Sequence, residues 1–376
     1  MASPLSSRHV GLAESGLPLD LMRADGPGLD LPMNFPIPGG NGLWAGAVKI
    51  LGMPASALPS LFEIEAAAEI VYREFPPTPQ YRWALLSERL GADCWVKHEN
   101  HTPVGAFKIR GGLTYFDRLA RRGELPAEVV SATRGNHGQS IAWAARSHGV
   151  RCTIVVPHGN SVEKNAAMRS LGADLIEHGD DFQEAREHAA ALAARRGAHM
   201  VPSFHADLLS GVATYWWEFF RAVPQLGVVY VPIGLGSGAC SAVAAKLALG
   251  REVRIVGVVS ALATTYADSI AAGRVVASPV STEIADGMAV RVADQEALDI
   301  LIPQLDHVVR VTDAEVADAM RILFTDTHNV AEGAGAAALA AALQERESLA
   351  GRVVGLTMTG GNVDADVFAQ VLRSRR

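Results

Sequence analysis

The sequence predicts an α/β protein whose parallel sheets are assembled from βαβ units. From residue 61 onward, short β-branched runs alternate with longer stretches of helical period. That alternation favours parallel strands joined by crossover helices. Several of the runs end in a glycine-bearing turn that opens the next helical stretch, which is where sheets of this class bind ligands. With 376 residues, 49% hydrophobic and 19% charged, the chain can bury a large core and divide it between two domains.

The first 60 residues read as an arm or extension rather than a domain. Turn signals stand at Pro27-Gly28, Pro38-Gly39-Gly40 and Asn41-Gly42. Leu29, Leu31, Phe35, Trp44, Val48, Ile50 and Leu51 give the arm apolar residues to pack onto this chain or a partner. Apolar residues at helical spacing then predict a helix over 61–74. The run 94–97 is strand-like, and 109–119 returns to helical period. A strand over 129–132 runs into a glycine turn before a helix over 139–148. The strand over 152–156 stops at Pro157, followed by a helix over 161–171 and a strand over 174–177. Further on come a strand at 228–232, a helix at 240–249 and a strand at 253–259. Helices at 314–324 and 333–345 precede a last strand at 353–358.

Composition narrows the function. A net charge of -7 and a pI near 6.0 argue against a nucleic-acid partner, which wants a basic face. Cys94, Cys152 and Cys240 are odd in number and lack CxxC spacing, so neither a disulfide framework nor a zinc site is expected and a reducing compartment fits. The N-terminus lacks the charged-then-apolar order of a secretory signal. Apolar runs such as 189–194 are too short to span a bilayer. The expectation is a cytoplasmic protein without a membrane partner.

Four segments carry chemistry. Gly105-Ala106-Phe107-Lys108-Ile109-Arg110-Gly111-Gly112 sets one of only five lysines (Lys49, Lys97, Lys108, Lys164, Lys246) between an aromatic residue and glycines. A desolvated lysine can join an aldehyde cofactor as a Schiff base, with Phe107 as an apolar wall; a solvated lysine at a helix start fits the same residues. In Ser131-Ala132-Thr133-Arg134-Gly135-Asn136-His137-Gly138-Gln139 a strand stops, a glycine turns and a helix starts. The unpaired N–H groups of such a first turn suit a carboxylate, and Thr133, Asn136 and His137 add donors; an ordinary capped helix is the plainer reading. Val231-Pro232-Ile233-Gly234-Leu235-Gly236-Ser237-Gly238-Ala239 lets backbone amides converge on a phosphate. The same residues meet the loose GxGxxG/A dinucleotide pattern. The next strand, however, ends in Ser260-Ala261-Leu262, with no acid for a ribose, which favours phosphate. Thr357-Met358-Thr359-Gly360-Gly361-Asn362 puts a hydroxyl at a strand end. Thr359 can bond a pyridine nitrogen without forcing it cationic, or cap its own turn. His98-Glu99-Asn100-His101 has the residue types of a metal site but neither HExxH spacing nor a helix beneath it, so no metal is expected.

In this order the four segments resemble those of the fold type II pyridoxal-phosphate enzymes, most of all the serine/threonine dehydratase group (threonine deaminases and serine racemases). The resemblance runs from about Pro77 to the end of the chain. It implies two domains, each a twisted, mostly parallel sheet flanked by helices, as in the tryptophan-synthase-β-like fold. Residues 61–127 with 206–376 would form the large cofactor-binding domain, and 128–205 the small mobile one. It implies pyridoxal 5'-phosphate held by Lys108, which then serves as the base for the substrate's α-proton. Phe107 would back the ring, Asn136 meet its 3-hydroxyl and Thr359 its nitrogen. Gly234, Gly236, Ser237 and Gly238 would hold the phosphate, with Gly287 and Glu332 nearby. Thr133, Asn136 and His137 would take the substrate carboxylate.

The activity implied is that of a lyase, in a homodimer: α,β-elimination of a β-hydroxy-α-amino acid such as threonine or serine to a 2-oxo acid and ammonia. The alternatives are β-replacement, dehydration of 3-hydroxyaspartate or phenylserine, and a non-catalytic cofactor-binding relative. Arg134 departs from the pattern. Similar dehydratases carry a small residue there, and similar racemases a proton-donating serine. A permanently charged guanidinium is a poor proton shuttle, which predicts little racemase activity. Arg134 could grip a second carboxylate, as on 3-hydroxyaspartate, or point outward. Ser260 stands where some relatives carry an acid for a divalent metal. The chain ends soon after Asn362, so no regulatory domain is expected, which argues against a feedback-controlled biosynthetic threonine deaminase.

Overall fold

Ser60 opens the first helix, α1 (Leu61–Val71), with a capping box: its hydroxyl accepts from the Glu63 N–H while the Glu63 carboxylate accepts from the Ser60 N–H. The computed structural model describes residues 58–374, so all but the last residues of the arm expected over 1–60 lie outside the described residues. The remaining helices are α2 (Ala84–Leu90), α3 (Lys108–Arg122), α4 (Asn136–Ser147), α5 (Val162–Ser170), α6 (Phe182–Arg196) and α7 (Ala206–Ala222). They continue with α8 (Ser237–Ala248), α9 (Thr265–Ala272), α10 (Gln295–Leu301), α11 (Asp313–Thr327), α12 (Gly333–Gln344) and α13 (Ala365–Arg373). None is long and apolar enough to cross a membrane.

Two sheets organise the chain. The strands of the larger are β1 (Gln80–Arg82), β2 (Asp93–His98), β7 (Val228–Pro232), β8 (Arg254–Ser260), β9 (His307–Val311) and β10 (Val353–Met358). Their order is β1-β2-β10-β7-β8-β9, parallel throughout except for the β1–β2 edge pair. The smaller sheet holds β3 (Glu128–Ala132), β4 (Arg151–Val156), β5 (Asp174–Glu177) and β6 (His199–Met200) in the parallel order β5-β4-β3-β6. Central strands such as β7 and β8 are nearly continuous apolar runs, as befits strands covered by helices on both faces.

The largest helical packing is made by α7, whose Trp216, Phe219 and Phe220 are fully buried. Each such burial contributes roughly 1.5–3 kcal/mol. Gly211 lets α7 approach α3 closely: a Cβ there would lie 2.1 Å from the Arg110 carbonyl oxygen. That contact seals a charged cluster. Arg110 donates to Glu99 at 2.7 and 3.0 Å and to Glu218 at 2.6 and 3.1 Å. The Lys97 ammonium donates to Glu218 at 2.5 Å. All four side chains are buried, so the start of α3 is tied to β2 and α7 by ion pairs that water does not reach. The Glu99 carboxylate thus serves Arg110 and Thr78. The described residues contain no grouping of three or more His, Cys, Asp or Glu side chains able to hold a metal.

Two expected helix starts are corrected. The helices placed at 139 and 240 begin earlier, at Asn136 and Ser237. Their first turns, Asn-His-Gly and Ser-Gly, are poor helix formers held by their setting at the ends of β3 and β7 rather than by propensity. The sequence reading also passed over β1, α2, α6, β6, α7, α9, α10, β9 and α13. Helix α7 is buried along almost its whole length.

Candidate active site

A cavity opens beyond the carboxyl ends of β3, β7 and β10, and it is lined by Ala132, Pro232 and Thr359 at or just past those ends. Four helices start there. Lys108, Asn136 and Ser237 are the first residues of α3, α4 and α8, and Glu332 is the N-cap of α12; all four line the cavity. Helix N-termini carry unpaired N–H groups and partial positive charge, so their convergence suits an anionic ligand.

The Lys108 amine donates to the Ser237 hydroxyl at 2.7 Å and stands 4.9 Å from the Phe107 ring centroid. Burial lowers its pKa from 10.5 to about 8. The Phe107 ring, which lines the cavity, meets Tyr215 edge-on. The backbone before Lys108 is stitched to the turn after β10: the Phe107 N–H donates to the Thr359 carbonyl, and Ala106 pairs with Gly360. Thr359 is thereby set beside Lys108 although 251 positions separate the two segments in sequence numbering, 359 less 108.

At α8, Gly236 takes the left-handed conformation (φ 95°) and caps the helix without a side-chain bond. The N–H groups of Ser237, Gly238 and Ala239 have no acceptor among the described residues. A Cβ on Gly234 would strike the Gly287 carbonyl at 2.4 Å, and one on Gly238 would point at the Phe107 ring and the Tyr215 hydroxyl. The glycines thus leave a cradle that side chains would fill.

At α4, the Thr133 hydroxyl accepts from the N–H groups of Gly135 (2.9 Å) and Gly138 (3.2 Å). The N–H groups of Asn136 and His137 are left without an acceptor among the described residues. His137 Nε2 is buried with no partner. Burial, then the Lys108 charge, lowers the His137 pKa to about 3, so the ring is neutral. Asn136 is committed at both ends: its amide donates to Glu332 at 2.5 Å and its carbonyl accepts from Asn362 at 2.8 Å.

Arg134 lines the cavity, and its Nε is buried without an acceptor. All thirteen residues singled out from sequence therefore meet at one cavity. The reading missed Lys164 and Asp286. The Lys164 ammonium lies 2.8 Å from Asp286 and 3.0 Å from Glu332. Burial alone would lower its pKa, but those two carboxylates outweigh it and raise the pKa. Burial raises the pKa of Glu332, with the Asp286 charge adding to it against Lys164. The signal for Lys164 was the scarcity of lysine that drew attention to Lys108.

The chain matches the family described as "Pyridoxal-phosphate dependent enzyme" over residues 71–360. It is 33% identical over 291 residues to the L-threonine ammonia-lyase of Thermotoga maritima, covering 77% of this chain and 72% of that one. It is 30% identical over 320 residues to a Pseudomonas L-threo-3-hydroxyaspartate ammonia-lyase, covering 84% of this chain and 99% of that one. Among solved structures, threonine deaminase isoform 2 from Solanum lycopersicum superposes with a TM-score of 0.76 at 27% identity, covering 83% of this chain and 91% of that one.

Proposed function

Since this chain belongs to the pyridoxal-phosphate dependent enzymes, we propose that it is a lyase dehydrating a β-hydroxy-α-amino acid of the serine or threonine kind to a 2-oxo acid and ammonia. The observation that carries this reading is the desolvated Lys108 amine beside the glycine cradle of α8. The relatives named as ammonia-lyases support it.

The donor set fits the cofactor. The Lys108 amine suits its aldehyde, and the free N–H groups of Ser237, Gly238 and Ala239 suit its phosphate. Phe107 gives an apolar face for the ring, and the Thr359 hydroxyl can bond the ring nitrogen while leaving it uncharged. Gly234 and Gly287 let their backbones approach closely at the cradle, and Asn136, braced by Glu332 and Asn362, keeps its second amide hydrogen for the ring hydroxyl. When bound, pyridoxal phosphate supplies an aldehyde for the substrate amine and a conjugated ring that spreads negative charge from the α-carbon.

The protein supplies binding and proton transfer. The N–H groups of Asn136 and His137 take the α-carboxylate, and the Thr133 hydroxyl keeps that turn in shape. With its pKa lowered to about 8, Lys108 has a neutral fraction near physiological pH that can accept the α-proton. The division into 61–127 with 206–376 as the large domain and 128–205 as a small mobile one belongs to the same reading, as do a homodimer and a cytoplasmic setting. The grouping of the smaller sheet's strands between Glu128 and Met200 supports the division.

Ammonia and 2-oxo acid release from serine, threonine, 3-hydroxyaspartate and phenylserine, in both stereochemistries, tests the proposal. Turnover that needs both added cofactor and Lys108 supports it. Product formed only with an external nucleophile, or cofactor bound with no ammonia from any substrate, contradicts it.

A further inference from the structure

Resting on the dehydratase reading, we infer that the substrate carries a second carboxylate at or beyond its β-carbon and that Arg134 reads it. The titratable side chains lining the cavity are Lys108, Arg134, His137, Lys164, Asp286 and Glu332. The Lys164 ammonium is met by Asp286 and Glu332. Lys108 donates to Ser237, and His137 is neutral. Arg134 has no ion-pair or hydrogen-bonding partner among the described residues, and its Nε is shut away from solvent with nothing to accept from it.

A guanidinium stays charged and presents a planar fork that matches a carboxylate with two parallel hydrogen bonds. A buried donor without an acceptor is destabilising until something supplies one. A methyl or hydrogen on the substrate's β-carbon would leave Arg134 as it stands. The substrate's α-carboxylate and the cofactor's phosphate have seats of their own at the first turns of α4 and α8. The unmatched cation is therefore left for a further anionic group, which makes the substrate class a β-hydroxy-α-amino dicarboxylate.

The test uses the holoenzyme. The kcat/KM for 3-hydroxyaspartate should exceed that for threonine. R134Q should lower the ratio of the two by roughly 10²-fold or more, with R134K between. Independently of turnover, succinate should raise the melting temperature of the holoenzyme more than butyrate does, and R134Q should abolish that difference. A ratio that R134Q leaves in place overturns the inference. So does equal loss on both substrates, which would put the guanidinium on the α-carboxylate, or loosened cofactor, which would put it on the phosphate. No ammonia from any hydroxy amino acid, with the succinate preference still dependent on Arg134, would sink the dehydratase reading and leave the second-carboxylate contact standing.

Discussion

Replacing Arg110 with methionine should destabilise the protein sharply, because Arg110 holds two buried carboxylates at once. The cluster as folded balances Arg110 and Lys97 against Glu99 and Glu218, all within reach of one another and shielded from water. Arg110→Met removes four bonds to carboxylate oxygens, at 2.6, 2.7, 3.0 and 3.1 Å. Glu99 is then left with the Thr78 hydroxyl, and Glu218 shares Lys97 and the Tyr72 hydroxyl. Breaking a buried pair by removing one partner costs about 3–5 kcal/mol. At roughly 2–3 °C per kcal/mol for a chain of this length, the melting temperature should fall by about 6–15 °C. Circular dichroism melts of both proteins read this directly. Activity should fall as well, since Arg110 stands two residues along α3 from Lys108. A drop of less than about 2 °C, equivalent to under 1 kcal/mol, would refute the account of how α3 is anchored.

Three further outcomes are expected. His137 and His98 have pKa values lowered from 6.5 to about 3 and about 4, each by burial first, then by the charges of Lys108 and His101 respectively. The folded chain keeps both neutral while the unfolded chain takes up protons below about pH 6.5, so stability is lost as pH falls from there. The loss is up to roughly 1.4 kcal/mol per pH unit for each histidine and levels off for His98 near pH 4; urea melts of H98N and H137N should show shallower pH slopes than wild type. Lys164→Met leaves Asp286 and Glu332 facing each other without their shared cation, and kcat/KM should fall roughly tenfold or more as Asn136 loses its brace; steady-state values within twofold of wild type would contradict this. Racemisation of recovered serine should run below roughly a hundredth of the elimination rate, because Arg134 cannot pass a proton; chiral chromatography measures it.

The strand-to-helix junctions were legible because each combines a β-branched run with a glycine turn, a pattern local in sequence. Val228–Pro232 and Val353–Met358 fall where the alternation placed them. The cavity residues of the β3–α4 and β7–α8 turns and Thr359 after β10 were legible for the same reason, whereas Gly287 and Glu332, which follow no strand, were expected only from the resemblance. What brings them together was not. Lys164 meets Asp286 across 122 positions, and the Arg110 cluster spans β2, α3 and α7. Nothing in a local window marks those charges as buried rather than solvated. Helix α6 was missed because its buried face is mostly alanine (Ala185, Ala189, Leu192, Ala193), which contrasts little with the rest of an alanine-rich stretch. Helix α7 does carry an apolar period, and its omission has no such physical reason.

The central claim is that the amine at position 108 is the one that joins the cofactor. Borohydride reduction of the protein loaded with pyridoxal phosphate, followed by peptide mass spectrometry, measures this. The account predicts a pyridoxyl mass on the peptide containing Lys108, absent from Lys108→Ala. A mass on Lys49, Lys97, Lys164 or Lys246 instead, or on no lysine, would contradict it.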